Sequence, residues 1–458
     1  MSIKMSKKSK LAAASLLALA CAAAPNVSWA AVDGEIAYVF NTFSFLVHGV
    51  LVMFMAAGFA MLESGLVRSK NTATICLKNI ALYSIAGIMF YLIGYNLMYV
   101  DVPEGGFMGS LSIFYNPSAD ELALIGAGGD KATPEMIKKV ADTGYSVPSD
   151  WFFQMVFVAT AASIVSGTVA ERIKVWPFMI FTVVLTGVIY PIQASWVWGG
   201  GWLAAMGFSD FAGSTLVHST GGWAALTGAI ILGARKGKYG ADGSVHAMPG
   251  ANIPLATLGT FILWFGWFGF NGGSQLALGS VLDAAAISIV YVNTNLAAAA
   301  GVVVAIILAQ LIYKKIDVSL ALNGAIGGLV AITAGPDLQN HFIAMIVGGV
   351  GGALVVLAVP MIDKMKIDDV VGAISAHLVA GIWGTLCVGI FGSGSIVTQA
   401  IGIVSIGVFV SVTSAIVWLI LKATVGIRAD EEDEVMGLDR AECGMEAYPE
   451  FGTGSQRL

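Results

Sequence analysis

Charge is the first thing this chain lacks. Only 11% of its 458 residues are Asp, Glu, Lys or Arg, where a soluble domain carries about a quarter, so a water-facing globular fold is excluded. Cysteine is almost missing as well. Of four cysteines one lies in the leader described below, and Cys76, Cys387 and Cys443 are an odd set at membrane depth or on the inner side, which excludes a disulfide framework. Histidine is equally sparse, and His48, His246 and His341 show no ligand spacing; they read as interfacial or loop residues. No metal, cofactor or nucleic-acid partner is expected.

Apolar length fills the space that charge leaves. Hydrophobic residues make up 57% of the chain and the mean hydropathy is +0.82, the composition of a polytopic membrane protein. The 56 glycines lie inside apolar runs, which suits close helix packing better than flexible linkage. Residues 1–30 read as a cleavable signal peptide: Lys4, Lys7, Lys8 and Lys10 precede a short apolar run, and Ser28-Trp29-Ala30 supplies a small-residue cleavage site. Residues 31–426 form the membrane domain and 427–458 a polar tail with the acidic run Asp430–Glu434, which composition alone reads as solvated.

Eleven apolar stretches are long enough to span a bilayer at roughly 20 residues each. They fall near 41–66, 75–100, 151–170, 175–197, 211–233, 253–275, 285–313, 319–335, 341–362, 371–392 and 398–426. Cations cluster at ends that alternate to one face: Arg68, Lys70, Lys78, Arg172, Lys174, Arg235, Lys236, Lys238, Lys314, Lys315, Lys364, Lys366, Lys422 and Arg428; only Lys131, Lys138 and Lys139 lie opposite, in a long 101–150 loop with eight acidic residues. The positive-inside rule then puts the mature N-terminus outside and the C-terminus in the cytoplasm. With the signal peptide, this points to a bacterial inner membrane and its lipid.

One pattern appears twice. DFAGSTLVHSTGG at 210–222 and DVVGAISAHLVAG at 369–381 share Asp, Gly, His and Gly at the same offsets: Asp210, Gly213, His218, Gly222 and Asp369, Gly372, His377, Gly381. The first copy opens the fifth span from outside and the second opens the tenth from inside. The expected fold is therefore all-α, two inverted five-helix repeats plus a final helix, with the substrate path at the repeat interface. Eight residues of helix rise is about 12 Å, which carries each histidine toward the middle of a core roughly 30 Å thick. An intramembrane ionisable residue is a functional candidate by default, although two core histidines can also simply hold helices together. No carboxylate is placed at the midplane.

Aromatic residues converge on the outer side. Phe153 and Phe157 begin the third span, Trp198 follows the fourth, and Trp267, Phe270 and Ser274 end the sixth. Aromatic faces attract cations and a serine hydroxyl accepts from an N–H donor; any membrane interface also carries an aromatic belt.

The runs AERI (170–173), VWGGGWL (197–203), DFAGSTLVH (210–218), GWFGFNGGS (266–274), LNGAIGGLVAITAG (322–335), the His377 stretch and GLDRAECGMEAY (437–448) resemble the ammonium transporter (Amt/Mep/Rh) family, bacterial Amt type, over essentially the whole mature chain. The resemblance implies a homotrimer with one pore per subunit and no enzymatic activity. It implies that Trp198, Phe153 and Ser274 recruit ammonium or the similar methylammonium, that Phe157 and Phe270 gate the pore, and that His218, His377 and Trp267 line it. Asp210 would shape the recruitment site through backbone groups; Thr333 and Asn323 match lining or packing positions. Asp369 reads as a cytoplasmic helix cap. The tail would pack beneath the trimer, where a PII-type signalling protein docks, and Cys443 stands where many members carry histidine. A sensor acting through its tail and a partner protein is the alternative. A bis-histidine haem protein is a third class, which the bulky aromatics and the single histidine pair argue against.

Overall fold

The computed structural model describes residues 33–450; the expected signal peptide lies outside them. Among the described residues, ten helices are long and apolar enough to cross a membrane. In chain order, with an eleventh helix of fifteen residues, α8, they are α1 (Gly34–Leu66), α2 (Ser69–Tyr99), α3 (Val147–Thr168), α4 (Val175–Ser195), α5 (Ser214–Leu232), α6 (Ile253–Gly273), α7 (Val281–Tyr313), α8 (Val318–Ile332), α9 (His341–Lys364), α10 (Ile374–Phe391) and α11 (Ile396–Thr424). Among the described residues there is no strand, only two isolated bridges.

Side-chain caps set the helix starts. Asp33, Asn252, Ser280, Asp317, Asn340 and Ser395 each accept a backbone N–H from the first turn of α1, α6, α7, α8, α9 and α11, satisfying donors that a helix cannot satisfy itself. The Asp33 cap explains why α1 starts before the apolar run expected from residue 41. The 101–150 connection also holds two helices, Ala119–Lys131 and Pro134–Ala141, where a loop is expected from composition. Ser118 and Thr133 cap them.

Packing relies on backbone approach. A Cβ added at Gly348 would meet the Ala297 carbonyl, and one at Gly352 the Gly301 carbonyl, so α7 and α9 touch main chain to main chain. Large apolar side chains point outward all round, including Phe43 and Phe54 on α1, Phe261 and Phe265 on α6, and Val404 and Val408 on α11. An apolar exterior of this extent suits lipid and not water.

Helix α3 works as a ruler through the centre. Its 22 residues span about 33 Å. Asp150 and Phe153, near its start, line one cavity with Trp198, whose indole N–H donates to the Asp210 carbonyl; Thr168, at its end, donates to Asp369. The repeated motif therefore enters α5 and α10 from opposite ends of α3, as the inverted-repeat expectation requires.

Candidate functional site: a hollow, a gate and a histidine pair

Each shared motif position has a local job. The Asp210 carboxylate accepts the backbone N–H groups of Gly213, Ser214, Thr215 and Leu216 at 2.8–3.2 Å, and Asp369 accepts those of Ala373 and Ile374 at 3.1 and 2.7 Å. The glycines at 213 and 372 take φ of 106° and 80°, which side-chain-bearing residues resist. Beyond them the chain runs through π-helical turns, Ser214–Ser219 and Ile374–Val379, each carrying its histidine; such turns recur at functional sites. At the last motif position, a Cβ on Gly222 would strike Leu378 and one on Gly381 would strike the Ser214 carbonyl and Ser219 Oγ. The two turns cross at contact distance.

The crossing brings the histidines together. Nδ1 of His218 and Nδ1 of His377 are 3.2 Å apart, both rings are buried, and the rings lie nearly parallel. His218 also stacks on Trp267 at 4.9 Å and on Phe270 at 5.2 Å. Trp267 is held by an indole N–H bond of 2.8 Å to Thr333 Oγ1, so Thr333 positions that ring against His218. Ring nitrogens this close leave no space for a macrocycle and its iron between them, which removes the haem arrangement.

Phe270 stacks on Phe157 with centroids 4.0 Å apart and also on His218. Beyond this pair a hollow of about 360 Å³ is lined by Phe153, Trp198, Ser274, Phe211, Tyr95, Tyr99, Tyr145, Gln154 and Asp150. Ser274 Oγ donates to the Phe270 carbonyl at 2.8 Å, which spends its proton and leaves its lone pairs free to accept. Burial pushes the Asp210 carboxyl up to about 6, against its four backbone donors.

Three residues were missed in the sequence. Asp150 immediately precedes the Trp151-Phe152-Phe153 run, and in the hollow its carboxylate takes Tyr95 Oη at 3.0 Å and Gln154 Nε2 at 3.2 Å. Glu63 and Lys78 are each 1% exposed within α1 and α2. Glu63 lines a small cavity beyond His377, together with Phe59, Asn323 and Val371, a buried carboxylate that the sequence did not single out. Lys78 is not one of the charges at a helix end; it is buried, with Nζ donating to the Ser166 carbonyl. The signal was an acid and a base inside predicted spans, the criterion that singled out the histidines. His48, read as interfacial or loop, is not in a loop: it is buried in α1 between Ser44 and Tyr291. Asn323 Nδ2 donates to the Val371 carbonyl.

At the opposite face from the hollow the tail is folded. Helices Glu431–Met436 and Leu438–Cys443 lie against the start of α2, where Asp439 accepts the Ala73 and Thr74 N–H groups. Lys70 Nζ donates to the Glu434 and Val435 carbonyls. Cys443 Sγ lies 3.7 Å from Thr74 Oγ1. Beneath the tail, Glu171 at φ 67° pairs with Arg68 and Arg235, and Arg235 pairs with Asp368 at 2.8 Å.

Residues 43–448 match the family model described as Ammonium Transporter Family. This chain belongs to that family. It is 40% identical over 438 residues to the ammonium transporter Amt2 of Archaeoglobus fulgidus, covering 89% of this chain and 87% of that one. It is 34% identical to the ammonium transporter of Bacillus subtilis, with 87% and 96% covered. Among solved structures, a protein titled Sensor Amt Protein superposes with a TM-score of 0.79 at 37% identity, over 89% of this chain and 99% of that one. Candida albicans Mep2 superposes with a TM-score of 0.73 at 26% identity, over 88% and 89%. Members of this family are membrane transporters and not enzymes.

Proposed function

We propose that this protein carries ammonium across the cytoplasmic membrane by recruiting the cation, removing its proton and conducting ammonia. The observation that supports this reading most is the unbroken sequence of contacts from Trp198 through Phe157, Phe270 and His218 to His377. Ammonium collects in the hollow, where Trp198 and Phe153 offer aromatic faces, Ser274 offers lone pairs and Asp150 offers charge. An unpaired cation costs several kcal/mol or more in the bilayer core, and the stacked phenylalanines offer it nothing in exchange. The proton is therefore released at the Phe157–Phe270 gate, and ammonia passes His218, His377 and Trp267. Asp210 acts indirectly, by fixing the turn whose carbonyl holds the Trp198 indole.

The hollow faces outward in this reading and the folded tail faces the cytoplasm, consistent with the basic residues gathered beneath the tail. The protomer works as one subunit of a homotrimer, and the tail surface is where a PII-type protein would act on it. The sensor alternative draws support from the likeness to the protein titled Sensor Amt Protein.

The test is an ammonium concentration jump on proteoliposomes adsorbed to a solid support, with an internal pH dye in parallel. Trp198→Leu should weaken the response, and His218→Ala with His377→Ala should abolish it or change its selectivity. Unchanged uptake and selectivity in the double variant would reduce the pair to a structural contact. Silence of the wild type in both assays would favour the sensor.

A further inference from the structure

The path does not end at His377. Phe59 tilts over the His377 ring with centroids 6.1 Å apart, and Glu63 follows Phe59 by four residues on α1, on the same helix face. Glu63 and His377 line one small cavity with Ser163, Gly167, Asn323 and Val371. The carboxylate is held from one side only. Ser166 Oγ donates to Oε2 at 2.8 Å, whereas Oε1 is buried with no hydrogen-bond partner among the described residues. The neighbouring Asn79 amide donates to the Ile75 carbonyl and also lies close enough to act on the Glu63 carboxylate.

A cation stands close by. Lys78 Nζ donates 2.9 Å to the carbonyl of Ser166, the residue whose hydroxyl holds Glu63, and lies 5.0 Å above the Phe178 ring. Its field falls on Glu63. A buried carboxylate with one unsatisfied oxygen is costly unless it has a use or a partner. Lys78 supplies the counter-charge without closing Oε1 off from the cavity.

We propose that Glu63 is the proton acceptor on the tail side of the histidine pair, so that each ammonium carried moves its charge as well as its nitrogen. This rests on the reading above in which ammonium is deprotonated at the gate. The N–H bond of ammonium breaks as an N–H bond forms on the unpartnered Nε2 of His218. The Nδ1 proton of His218 passes to Nδ1 of His377, and the remaining nitrogen of His377 releases a proton across the cavity to Glu63 Oε1, forming the carboxylic acid. Glu63 then returns to the carboxylate by losing that proton to water at the tail face, and ammonia leaves separately. One transfer leaves both imidazoles in the opposite tautomer, and both rings reorient to the starting one before the next ammonium is carried.

The test substitutes Glu63→Gln, which keeps the shape and can still accept from Ser166 but cannot take up a proton. It uses the full-length protein in proteoliposomes and reads two signals: current after an ammonium jump, and internal pH change driven by an ammonia gradient. The expected result is a current reduced by roughly a hundredfold, the low end of what a positioned proton acceptor contributes, with the pH signal retained. Glu63→Asp, measured beside it, should recover part of the current. A wild-type current in Glu63→Gln would overturn the proposal. So would loss of both signals in a variant that still elutes and melts like the wild type, because Glu63 would then be holding the pore together. A wild type that shows the pH signal without current would overturn this inference and leave deprotonation at the gate standing; a wild type silent in both would remove both.

Discussion

Nδ1 of His218 and Nδ1 of His377 stand 3.2 Å apart, a distance at which one ring donates and the other accepts, so each imidazole fixes the tautomer of the other. Removing one ring leaves the other's Nδ1 buried and unpaired, which costs about 1–3 kcal/mol. Removing both leaves no orphan at that contact. The two single alanine variants should therefore each lose stability, and the double variant should lose less than their sum. Thermal unfolding of the four proteins in detergent measures the coupling; strict additivity would mean that the short contact carries no hydrogen bond.

The motif glycines make a second prediction. A methyl group at Gly381 would sit 2.5 Å from both the Ser214 carbonyl and Ser219 Oγ, backbone and buried hydroxyl that have nowhere to go. Gly381→Ala should destabilise by about 1–3 kcal/mol and spread the histidines. Gly126→Ala meets open space and should leave the melting temperature alone. Equal behaviour of the two would show that α5 and α10 do not need their close crossing.

These positions were legible in the sequence for a physical reason. Asp210 and Asp369 cap a turn, Gly213 and Gly372 permit its positive φ, the histidines follow on the next turn, and Gly222 and Gly381 admit the partner helix; all are demands of one short segment repeated at the same spacing. The aromatic residues were legible as a group, yet the 4.0 Å stacking of Phe157 on Phe270 joins α3 to α6 and has no local signal. The π-helical turns that aim the histidines had none either, because their register is set by what they pack against. Asp150 and Glu63 were overlooked because hydropathy is an average: one acid among many apolar neighbours barely moves it. Glu63 was visible by the same criterion as His218.

Asp150 carries a third prediction. Its carboxylate lies in the hollow with Trp198 and Ser274, held by Tyr95 and Gln154 and free to attract a cation. Asp150→Asn keeps the shape, accepts from Gln154 while its amide N–H turns to Tyr95 Oη, and removes the charge, a change worth roughly 1–2 kcal/mol at an effective dielectric near 20. Half-saturation for ammonium should rise by about tenfold, while the maximal current stays near that of the wild type. A fall in maximal current with unchanged half-saturation would place Asp150 in the conduction step and not in recruitment.

The charges beneath the tail make a prediction about acid. Burial works to raise the Asp368 carboxyl, but the hydrogen bonds and charges of Arg235 and Arg172 outweigh it and hold it well below the usual range; burial also opposes Arg235 and Arg68 at Glu171, which ends lower than usual. Such depressed carboxylates contribute stability that is present above their unfolded values near 4 and is lost as pH falls through their folded values. Burial pushes neighbouring Asp369, like Asp210, up to about 6, and those two have the opposite sign: the folded state takes up their protons first. Between pH 6 and 4 the melting temperature should therefore hold or rise, then drop below pH 4 as Asp368 and Glu171 protonate and the tail comes free to protease. Asp368→Asn leaves the buried Arg235 with Glu171 as its remaining counter-charge and should cost about 3 kcal/mol at neutral pH, with the tail already cleavable there. A melting temperature that falls steadily from pH 6 would show that the paired carboxylates do not set the acid limit of this face.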